Sequence, residues 1–432
     1  MRLCVLGLAL MLAGPALARP VTMTAEELLR FGEAAMLRGY AAQALSVTDA
    51  LLARDGGDVQ ALILRAQALR MLDRLPESEA AARTAWQRAE APAPRFLAAT
   101  ALAQALSLQG QRLRAQYWLR QAAEAAPSAG AQAQALADLR YVRGETPLRL
   151  QVDLSAQPSD NVNGGARVDS VTVAGITLPL PAKLTALSGL SYSLGISGEY
   201  RIAAAPGADT ALTFGLQRSG AVLSEAAKAL GGQAHDLDFL HLGAGVMRKG
   251  AWGSLRFDLG RNWYGGQDLS ATYGVSGTMV RQVGAARVEL SAGLQREARF
   301  DLDAASSTQG RLGAAVAMAG PKGDTWRIAT TLMTAEAQSD VVQRQEAGIS
   351  LDWQAAEKVA GFGLGASVGV TGARYASGRR DGRLRASLEA EFPTSFAGFA
   401  PVLSLDWSRG NSNVLVYDTE SLGLGLTLRS RF

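Results

Sequence analysis

The sequence is nearly without cysteine and histidine. Among 432 residues there is one cysteine, Cys4, and there are two histidines, His235 and His241. Cys4 lies within a predicted signal peptide, so the mature chain is expected to have no disulfide, no thiol chemistry and no lipid-anchored N-terminus. Two histidines without cysteine supply no recognisable zinc-ligand set. The sequence therefore predicts neither a metal site nor a cofactor.

Long apolar runs and a strong net charge are missing as well. After the N-terminus no stretch of about 18 apolar residues without charges occurs, which argues against a transmembrane helix. Charged residues make up 19% of the chain, the formal net charge is +4 and the mean hydropathy is +0.05. So small a positive excess gives no case for nucleic-acid binding. These averages are compatible with an outer-membrane β-barrel, in which apolar residues occupy every second position.

Residues 1–18 have the pattern of a secretory signal peptide. Arg2 supplies the positive end, Leu3–Leu12 the apolar core, and Ala16-Leu17-Ala18 the small residues of a cleavage site. The mature chain is therefore expected to begin at Arg19.

Residues 19–147 are predicted to form a helical domain. Ala, Leu, Gln, Arg and Glu, all good helix formers, dominate this segment. Three copies of a short motif align so that Gly39, Asp73 and Gly110 share one turn position, with spacings of 34 and 37 residues. The tetratricopeptide repeat has a period of about 34 residues. The segment therefore resembles a short tetratricopeptide array, and a last helix from Ala129 to Tyr141 is expected to cap it.

The first helix of each predicted repeat supplies candidate binding residues. Tetratricopeptide arrays bind peptides in a concave groove that these first helices line. The inward positions of such repeats, transferred to this sequence, predict a client-binding groove. Its candidate residues are Glu33, Met36, Gln60, Gln67, Arg70, Thr100, Gln104 and Ser107. The alternative is that these side chains form only a solvated helix face.

Residues 148–432 change to a period of two. In Ser421–Phe432, leucines alternate with glycine, threonine and arginine, so one face suits lipid and the other suits water. The alternation recurs, and 14 strands are predicted to begin near Leu148, Leu187, Asp209, Asp236, Ala251, Ser270, Ala285, Thr308, Asp324, Val342, Lys358, Asp381, Ala400 and Thr419. The predicted fold is an α + β multidomain chain: an N-terminal all-α tetratricopeptide-like repeat array, then a C-terminal transmembrane antiparallel β-barrel of about 14 strands.

The two faces of the predicted strands differ in charge. Charged side chains cost a few kcal/mol on the lipid face near the membrane midplane, so they are assigned to the lumen. The lumen-facing candidates are Arg256, Asp258, Arg383, Arg385, Glu389 and Glu391. A wall of mixed sign with many glycines is typical of a water-filled or plugged conduit.

The connections between strands predict an orientation. Those after odd-numbered strands are expected to be long and polar, as in Gln157–Ala186 and Asn262–Leu269. Those after even-numbered strands are expected to be short turns, as in Arg248–Gly250. In bacterial barrels short turns face the periplasm and long loops face outside. The predicted location is the cell outer membrane, with the helical domain in the periplasm.

Two patterns bear on enzymatic chemistry. Gly365–Gly369 matches the Gly-x-Ser-x-Gly of a nucleophile elbow, which requires a strand-to-helix turn, but here it lies in the middle of a predicted strand. His235 and His241 lie close to Asp236 and Asp238, as a metal site or an outer-membrane hydrolase would require. Loop histidines without such a role are commoner. We therefore predict no catalytic residue and no enzyme.

The junction between the two predicted domains carries a family signature. Leu150–Gly165 contains the run Pro-Ser-Asp-Asn-Val-Asn, followed by a loop and the aromatic-bearing strand Gly189–Leu194. With the signal peptide, the helical repeats and the strand count, this segment resembles the surface lipoprotein assembly modulator family, the translocons of type XI secretion. The polar residues of the motif are Asp160, Asn161 and Asn163. They are candidates for client contact, or for a structural turn in which Asn and Asp bond their own backbone.

The resemblance implies a barrel that moves a client protein from the periplasm to the cell surface. The client would be a surface lipoprotein or a small secreted protein, such as a haem- or metal-scavenging one. Periplasmic chaperones and the barrel assembly machinery are the other implied protein partners, and outer-membrane lipid would surround the barrel. The resemblance transfers no catalytic residue. Since the sequence contains no ATPase motif, we expect client folding outside the cell or binding gradients to drive transport.

The same architecture leaves other functions open. A polysaccharide-export porin also joins tetratricopeptide repeats to a barrel, and a passive solute porin would explain the barrel alone. An outer-membrane hydrolase would depend on Ser367 or His241. The neighbouring gene distinguishes the translocon from the polysaccharide-export porin. A translocon should neighbour a gene for its client, whereas an export porin should neighbour sugar-polymerising genes.

Overall fold

The structure is a computed structural model that describes residues 22–173, 176–396 and 398–430. The predicted signal peptide and Phe432 lie outside the described residues. The chain divides into two units between Ala135 and Leu136. The sequence pattern itself changes later, at Pro147.

Seven helices are described before the first strand. They are α1 (Ala25–Leu37), α2 (Ala41–Arg54), α3 (Val59–Met71), α4 (Leu75–Arg88), α5 (Pro92–Leu108), α6 (Arg112–Ala125) and α7 (Ala129–Glu145). Thr24 begins α1 with a capping box that includes Glu27, and the Asp58 side chain caps α3. Gly39, Asp73 and Gly110 follow α1, α3 and α5 with φ of +82°, +56° and +77°. The shared turn position is therefore a left-handed residue that ends the first helix of each pair.

Small residues form much of the helical core. Ala66, Ala82 and Leu102 belong to one buried cluster at the crossing of three helices. Ser78 is fully buried at a position where this repeat usually has alanine, and its hydroxyl donates to the Ala66 carbonyl over 2.7 Å. Serine in place of alanine adds a buried hydroxyl group, and this hydrogen bond gives that hydroxyl a partner.

Fourteen strands form a closed antiparallel barrel. They are β1 (Leu148–Ser159), β4 (Gly189–Ala205), β5 (Ala208–Leu223), β6 (Phe239–Gly250), β7 (Gly253–Tyr264), β8 (Gln267–Val283), β9 (Ala286–Arg299), β10 (Ser307–Ala319), β11 (Thr325–Ala337), β12 (Arg344–Gln354), β13 (Gly363–Tyr375), β14 (Arg380–Glu391), β15 (Phe399–Ser412) and β16 (Thr419–Ser430). The remaining described strands, β2 (Ser170–Val173) and β3 (Ile176–Pro179), pair with each other in the first long connection. The short helix α8 (Glu225–Ala229) lies between β5 and β6. The predicted fold class is confirmed.

The barrel strands have an apolar outer face and a polar inner face. Leu255, Phe257 and Leu259 on β7 are about half exposed, because they point away from the barrel. Asn262 and its neighbour Ser270 on β8, on the opposite face, are buried in the wall. On β16, the four predicted lipid-facing leucines are likewise exposed by 44–49%. This distribution matches a transmembrane barrel, in which lipid replaces water around the outer face.

The connections differ from the predicted alternation of long and short. Between β7 and β8, where Asn262–Leu269 is expected to be a long loop, only Gly265 and Gly266 connect the strands, both with positive φ. At the opposite end of the barrel, where short turns are predicted, residues 355–362 connect β12 to β13 and are longer than a turn. The first two connections after odd-numbered barrel strands, residues 160–188 and 224–238, are long as predicted. The predicted alternation therefore fails after β7, β12 and β14, whereas residues 300–306 after β9 again form a longer connection than the two-residue turns at 206–207, 251–252 and 284–285.

The barrel closes between its first and last strands. Three residue pairs join β1 to β16, namely Ser155 with Thr427, Ala156 with Leu426 and Ser159 with Gly423. By contrast, twelve pairs join β15 to β16 and twelve join β1 to β4. The closing contact therefore carries fewer backbone pairs than the strand contacts on either side of it.

Candidate functional site

The inner face of the barrel is the candidate site. One row of paired inward residues crosses seven neighbouring strands, and from β8 to β14 it comprises Ser276, Gly293, Arg311, Met333, Glu346, Ala373 and Asp381. Small residues and charged ones share this row, which makes the inner wall polar. A larger cavity of about 1170 Å³ lies on the outer face, because most of its lining residues, such as Leu255, Leu294, Leu312 and Leu332, are on the side of the exposed leucines.

Two of the three arginines predicted to face the lumen lie near each other on β14, two residues apart. Arg383 and Arg385 line a smaller cavity of about 80 Å³ together with Glu346 and Asp381. Neither guanidinium forms an ion pair with any of the described residues. Their lateral neighbours on the inner face, such as Gly369 and Gly410, are small, so the arginine side chains have room to reorient.

The other predicted lumen charges are mostly neutralised within the wall. Arg256 pairs with Asp258 on the same face of β7. Glu389 on β14 accepts a hydrogen bond from Arg429 on β16 over 2.7 Å, across the intervening strand. Glu391 lies on the same face of β14, two residues beyond Glu389. Since partly exposed pairs contribute little stability, their main effect is to set the local charge of the lumen.

A hydrogen-bond cluster around Asp406 was missed by the sequence analysis. Its carboxylate accepts from the Ser387 hydroxyl over 2.7 Å, the Ser404 hydroxyl over 2.6 Å and the Gln157 amide over 3.0 Å. Gln157 is on β1 and Asp406 on β15, so this contact crosses β16, where Gly423 leaves the necessary space. The alternation of Ser404 and Asp406 with leucines was the available signal, but it does not reveal a partner on β1.

Two polar residues of the motif Asp160–Asn163 hold the closing contact at the loop end of β1. The Asp160 carboxylate accepts from the Leu422 amide over 2.8 Å. Asn161 is 7% exposed, and its amide nitrogen donates to the carbonyls of Glu420 and Gly165, each over 2.9 Å. Asp160 and Asn161 therefore tie the first loop to β16. We call these two residues the clasp.

The third motif residue organises the loop itself. The Asn163 side-chain oxygen accepts from the Leu187 amide over 2.9 Å, and its nitrogen donates to the Thr185 carbonyl over 2.7 Å. Both partners lie at the far end of the first long connection. All three polar motif residues thus bond main-chain groups, which is the arrangement of the structural-turn alternative.

The two longest loops contact each other. Lys183 in the first loop forms an ion pair with Asp236 in the second over 2.8 Å. The hydrogen bond from Lys183 lowers the pKa of the Asp236 carboxyl, and the same bond raises the pKa of Lys183. Leu187 and Leu223 pack together in a buried cluster beside this pair.

The predicted groove residues lie on α1, α3 and α5, the first helices of the three pairs. Glu33 and Gln60 are exposed, whereas Met36, Gln67, Arg70, Thr100, Gln104 and Ser107 are half-buried. The Arg70 Nε is buried without a partner among the described residues. The Thr100 hydroxyl donates to the Phe96 carbonyl of its own helix over 2.8 Å. Nothing in the structure identifies a ligand of these residues, so the groove stays a prediction.

The residues considered for enzymatic chemistry lie in the barrel wall. Ser367 is in the middle of β13, paired with Asp352 and Ser387, so the strand-to-helix turn of a nucleophile elbow does not occur there. His241 contacts the Asn262 side chain over 2.7 Å, and Asn262 donates to Ser270 over 2.9 Å. Among the described residues, no group of three or more His, Cys, Asp or Glu side chains is arranged to hold a metal ion. None of the described helices is long and apolar enough to cross a membrane.

Comparison with known proteins gives structural similarity at low sequence identity. No family model matches the chain, and no curated protein matches it. The helical unit is similar to the first tetratricopeptide domain of human RPAP3, with 15% identity over 28% of this chain and 93% of that chain, at a TM-score of 0.25. The barrel is similar to Vibrio cholerae OmpT lacking loop L8, with 10% identity over 65% of this chain and 99% of that chain, at a TM-score of 0.35. It is also similar to a bacterial polysaccharide outer membrane secretin, with 8% identity over 65% of this chain and 98% of that chain, at a TM-score of 0.36.

The coordinates of this chain themselves define its class. A repeat array of paired helices precedes a closed 14-stranded antiparallel barrel with an apolar outside and a polar inside. This is an outer-membrane-type barrel that is preceded in the sequence by a tetratricopeptide-like domain.

Proposed function

We propose that this protein is an outer-membrane translocon that carries a client protein, a surface lipoprotein or a small secreted protein, from the periplasm to the cell surface. The observation that carries the proposal is the connection of a peptide-binding type of helical array to a closed barrel with a polar inner face. The array captures the client and the lumen conducts it. The protein is not an enzyme, and it uses no cofactor.

The lumen wall supports passage of a polypeptide rather than tight retention. One row of its inner face carries Ser276, Gly293 and Ala373, with Arg311 and Glu346 between them. Hydroxyl groups and charges of both signs offer weak contacts to many peptide sequences. A wall of this kind lets a client move without binding it strongly at one position.

The test is surface display of the protein encoded beside this gene. Intact cells are treated with protease, with and without this gene and with residues 19–147 deleted behind the signal peptide. We expect the neighbouring protein to be cleaved only when the complete chain is present. Unchanged cleavage in the deletion strain would contradict the translocon, provided that the protease does not enter the periplasm, which a periplasmic marker protein checks.

A polysaccharide-export or solute porin is the second candidate. The abundance of serine, threonine and glycine on the inner face favours it, since polyhydroxylated sugars bond well to such groups. Deletion of the gene would then reduce polysaccharide export or solute uptake while the surface display of the neighbouring protein stays unchanged.

A further inference from the structure

A second cleft lies in the helical unit, between α4 and α6. These are the second helices of the second and third pairs. The cleft has a volume of about 610 Å³ and is lined mainly by Arg83, Trp86, Leu113, Arg114, Tyr117 and Trp118. The predicted groove residues lie on α1, α3 and α5, so this cleft is a different surface of the array.

Aromatic rings form the floor of the cleft. Trp86 and Trp118 pack edge to face with ring centres 5.3 Å apart, and Tyr117 packs in the same way on Trp118, also at 5.3 Å. Both tryptophans rest on the buried core of the array and are half-buried. Tyr117 and Leu113 are 43% and 42% exposed. The floor is therefore fixed from below, and its apolar upper surface is open.

The rim of the cleft is positively charged. The Glu79 carboxylate binds both Arg83 and Arg114, but its side chain is only 16% exposed, whereas the arginine side chains are 43% and 48% exposed. The carboxylate is thus covered and the guanidinium groups face solvent. Each guanidinium has five N–H donors, more than these contacts use. Outside the lining of the cleft, the Arg95 guanidinium lies 5.6 Å from the centre of the Trp86 ring.

We propose that this cleft binds an extended segment of the translocated client in which an aromatic or leucyl side chain lies beside a carboxylate. The apolar side chain would pack on Trp86, Tyr117 and Trp118, where aromatic surface gives a large contact area. The carboxylate would pair with Arg83 or Arg114, since an arginine fork matches carboxylate geometry. The charge of the rim selects against a basic segment. The array then holds its client on two surfaces rather than in the groove alone.

This inference rests on the proposed function, because it assigns the peptide to the client. Its first test uses the purified full chain in detergent. A fluorescent peptide with the sequence Gly-Asp-Leu-Phe-Asp-Gly is titrated with the protein, and its anisotropy is measured beside that of the counterpart Gly-Lys-Leu-Phe-Lys-Gly. We expect only the acidic peptide to bind. Loss of a single buried contact of this kind weakens binding about tenfold, and we expect that loss for Tyr117→Ala and for Arg114→Gln.

Matched variants separate binding from folding. Tyr117→Phe keeps the ring and should bind like the natural chain, and Glu26→Ala, at a 73% exposed position of α1 outside both the groove and the cleft, should leave binding unchanged. Equal binding of the two peptides, equal binding by Tyr117→Ala, or loss of binding only in the groove variant Glu33→Ala would overturn the assignment. Preferential binding of phosphatidylglycerol vesicles, or self-association lost in Tyr117→Ala, would overturn it in favour of a lipid or of a second copy of the chain.

Cells carrying the combined change Tyr117→Ala and Arg114→Gln distinguish the cleft from the translocon. If the neighbouring protein needs this gene to reach the surface and also needs these two side chains, both proposals are supported. If it needs the gene but reaches the surface normally in the double variant, the cleft proposal is overturned and the translocon stands. If it does not need the gene at all, the translocon fails, and with it the assignment of the peptide to a client.

Discussion

At the scale of single residues, Asn161 has the most constrained polar side chain of the motif. It is 7% exposed and bonds the main chain of Gly165 and of Glu420, on opposite sides of the closing contact. A buried main-chain group that loses its partner costs about 1–3 kcal/mol. The residue therefore acts on the closure of the barrel, although it lies at the end of one strand.

The first prediction concerns Asn161→Ala. We expect the variant to lower the temperature at which heating in detergent converts the folded barrel to the electrophoretic mobility of the unfolded chain, because the Glu420 carbonyl loses its Asn161 donor and the Gly165 amide keeps only its longer bond to Asn163. Glu225→Ala is the matched control, since the Glu225 side chain is 90% exposed and its one ion pair among the described residues is with Lys228 beside it. Equal conversion temperatures for Asn161→Ala and the natural chain would show that the clasp does not stabilise the closure.

The second prediction concerns the ion pair between Lys183 and Asp236. The pKa of the Asp236 carboxyl is lowered by its bond from Lys183, so the pair contributes stability above the ordinary carboxyl range and loses it as pH falls through the lowered pKa. The pKa of Lys183 is raised, so the pair also loses its stabilising effect when pH rises through that pKa in the alkaline range. We expect hydrogen exchange in the first loop, corrected for intrinsic rates, to be slower at neutral pH than at about pH 3.

The variant Asp236→Asn provides the control for that measurement. It should show fast exchange at neutral pH and no step on acidification, because it lacks the titrating carboxyl. If the natural chain shows the same protection at both pH values, the ion pair does not hold the two loops together.

At the scale of secondary-structure elements, the three repeats use different residues at one backbone position. Gly39 and Gly110 suit the left-handed conformation, whereas Asp73 adopts it with a side chain, at φ +56°. Glycine adopts this conformation without a steric cost. The second repeat therefore ends its first helix less favourably than its neighbours.

The third prediction is that Asp73→Gly raises the melting temperature of the helical unit. The expected gain is about 0.5–1 kcal/mol, measured by the helical circular dichroism signal during heating of the full chain. Asp73→Ala keeps a side chain in the left-handed conformation and should give no gain. A lower melting temperature for Asp73→Gly would contradict the equivalence of the three turns.

The fourth prediction concerns the glycine beneath Gln157. A Cβ at Gly423 would lie 2.7 Å from the Gln157 Nε2 atom, so Gly423→Ala should displace Gln157 and break its bond to Asp406. The expected cost is about 1 kcal/mol in barrel stability. A Cβ at Gly372 would meet no atom within 4 Å, which makes Gly372→Ala the matched control. Equal conversion temperatures for the two variants would show that the Gln157 bond contributes nothing.

Alternation along the chain predicted the strands well, because lipid forces apolar residues onto one face of each strand. It failed at Asn262–Leu269 for a physical reason. Residues that face a polar lumen have the composition of a loop, so the end of β7 and the start of β8 looked like parts of one long connection. Only the tight turn at Gly265 and Gly266 separates them.

The sites depend on contacts that no local pattern contains. Asn161 bonds Glu420, and Gln157 bonds Asp406, each pair separated by about 250 residues in sequence. The cleft beside Trp86 and Trp118 depends on the packing of α4 near α6, which repeat spacing predicts only in outline. Composition and periodicity therefore gave the architecture, and the side-chain partners required coordinates.

At the scale of the whole molecule, the polar lumen is the feature on which the function depends. Successive residues of each strand face the lumen and the outside in turn, so two adjacent residues lie in opposite environments. Met333 on β11 is paired with Arg311 and Glu346 on the inner face, and Leu332 beside it is 56% exposed on the outer face. These two positions are a matched pair for locating the client.

The most direct measurement is photo-cross-linking from these two positions during surface display. A benzophenone amino acid replaces Met333 in one strain and Leu332 in the other, and adducts with the neighbouring protein are detected after irradiation. The account predicts an adduct from position 333 and none from position 332, because the client passes through the lumen and lipid surrounds the outer face. A client that reaches the surface without an adduct from position 333, or with equal adducts from both positions, would contradict it.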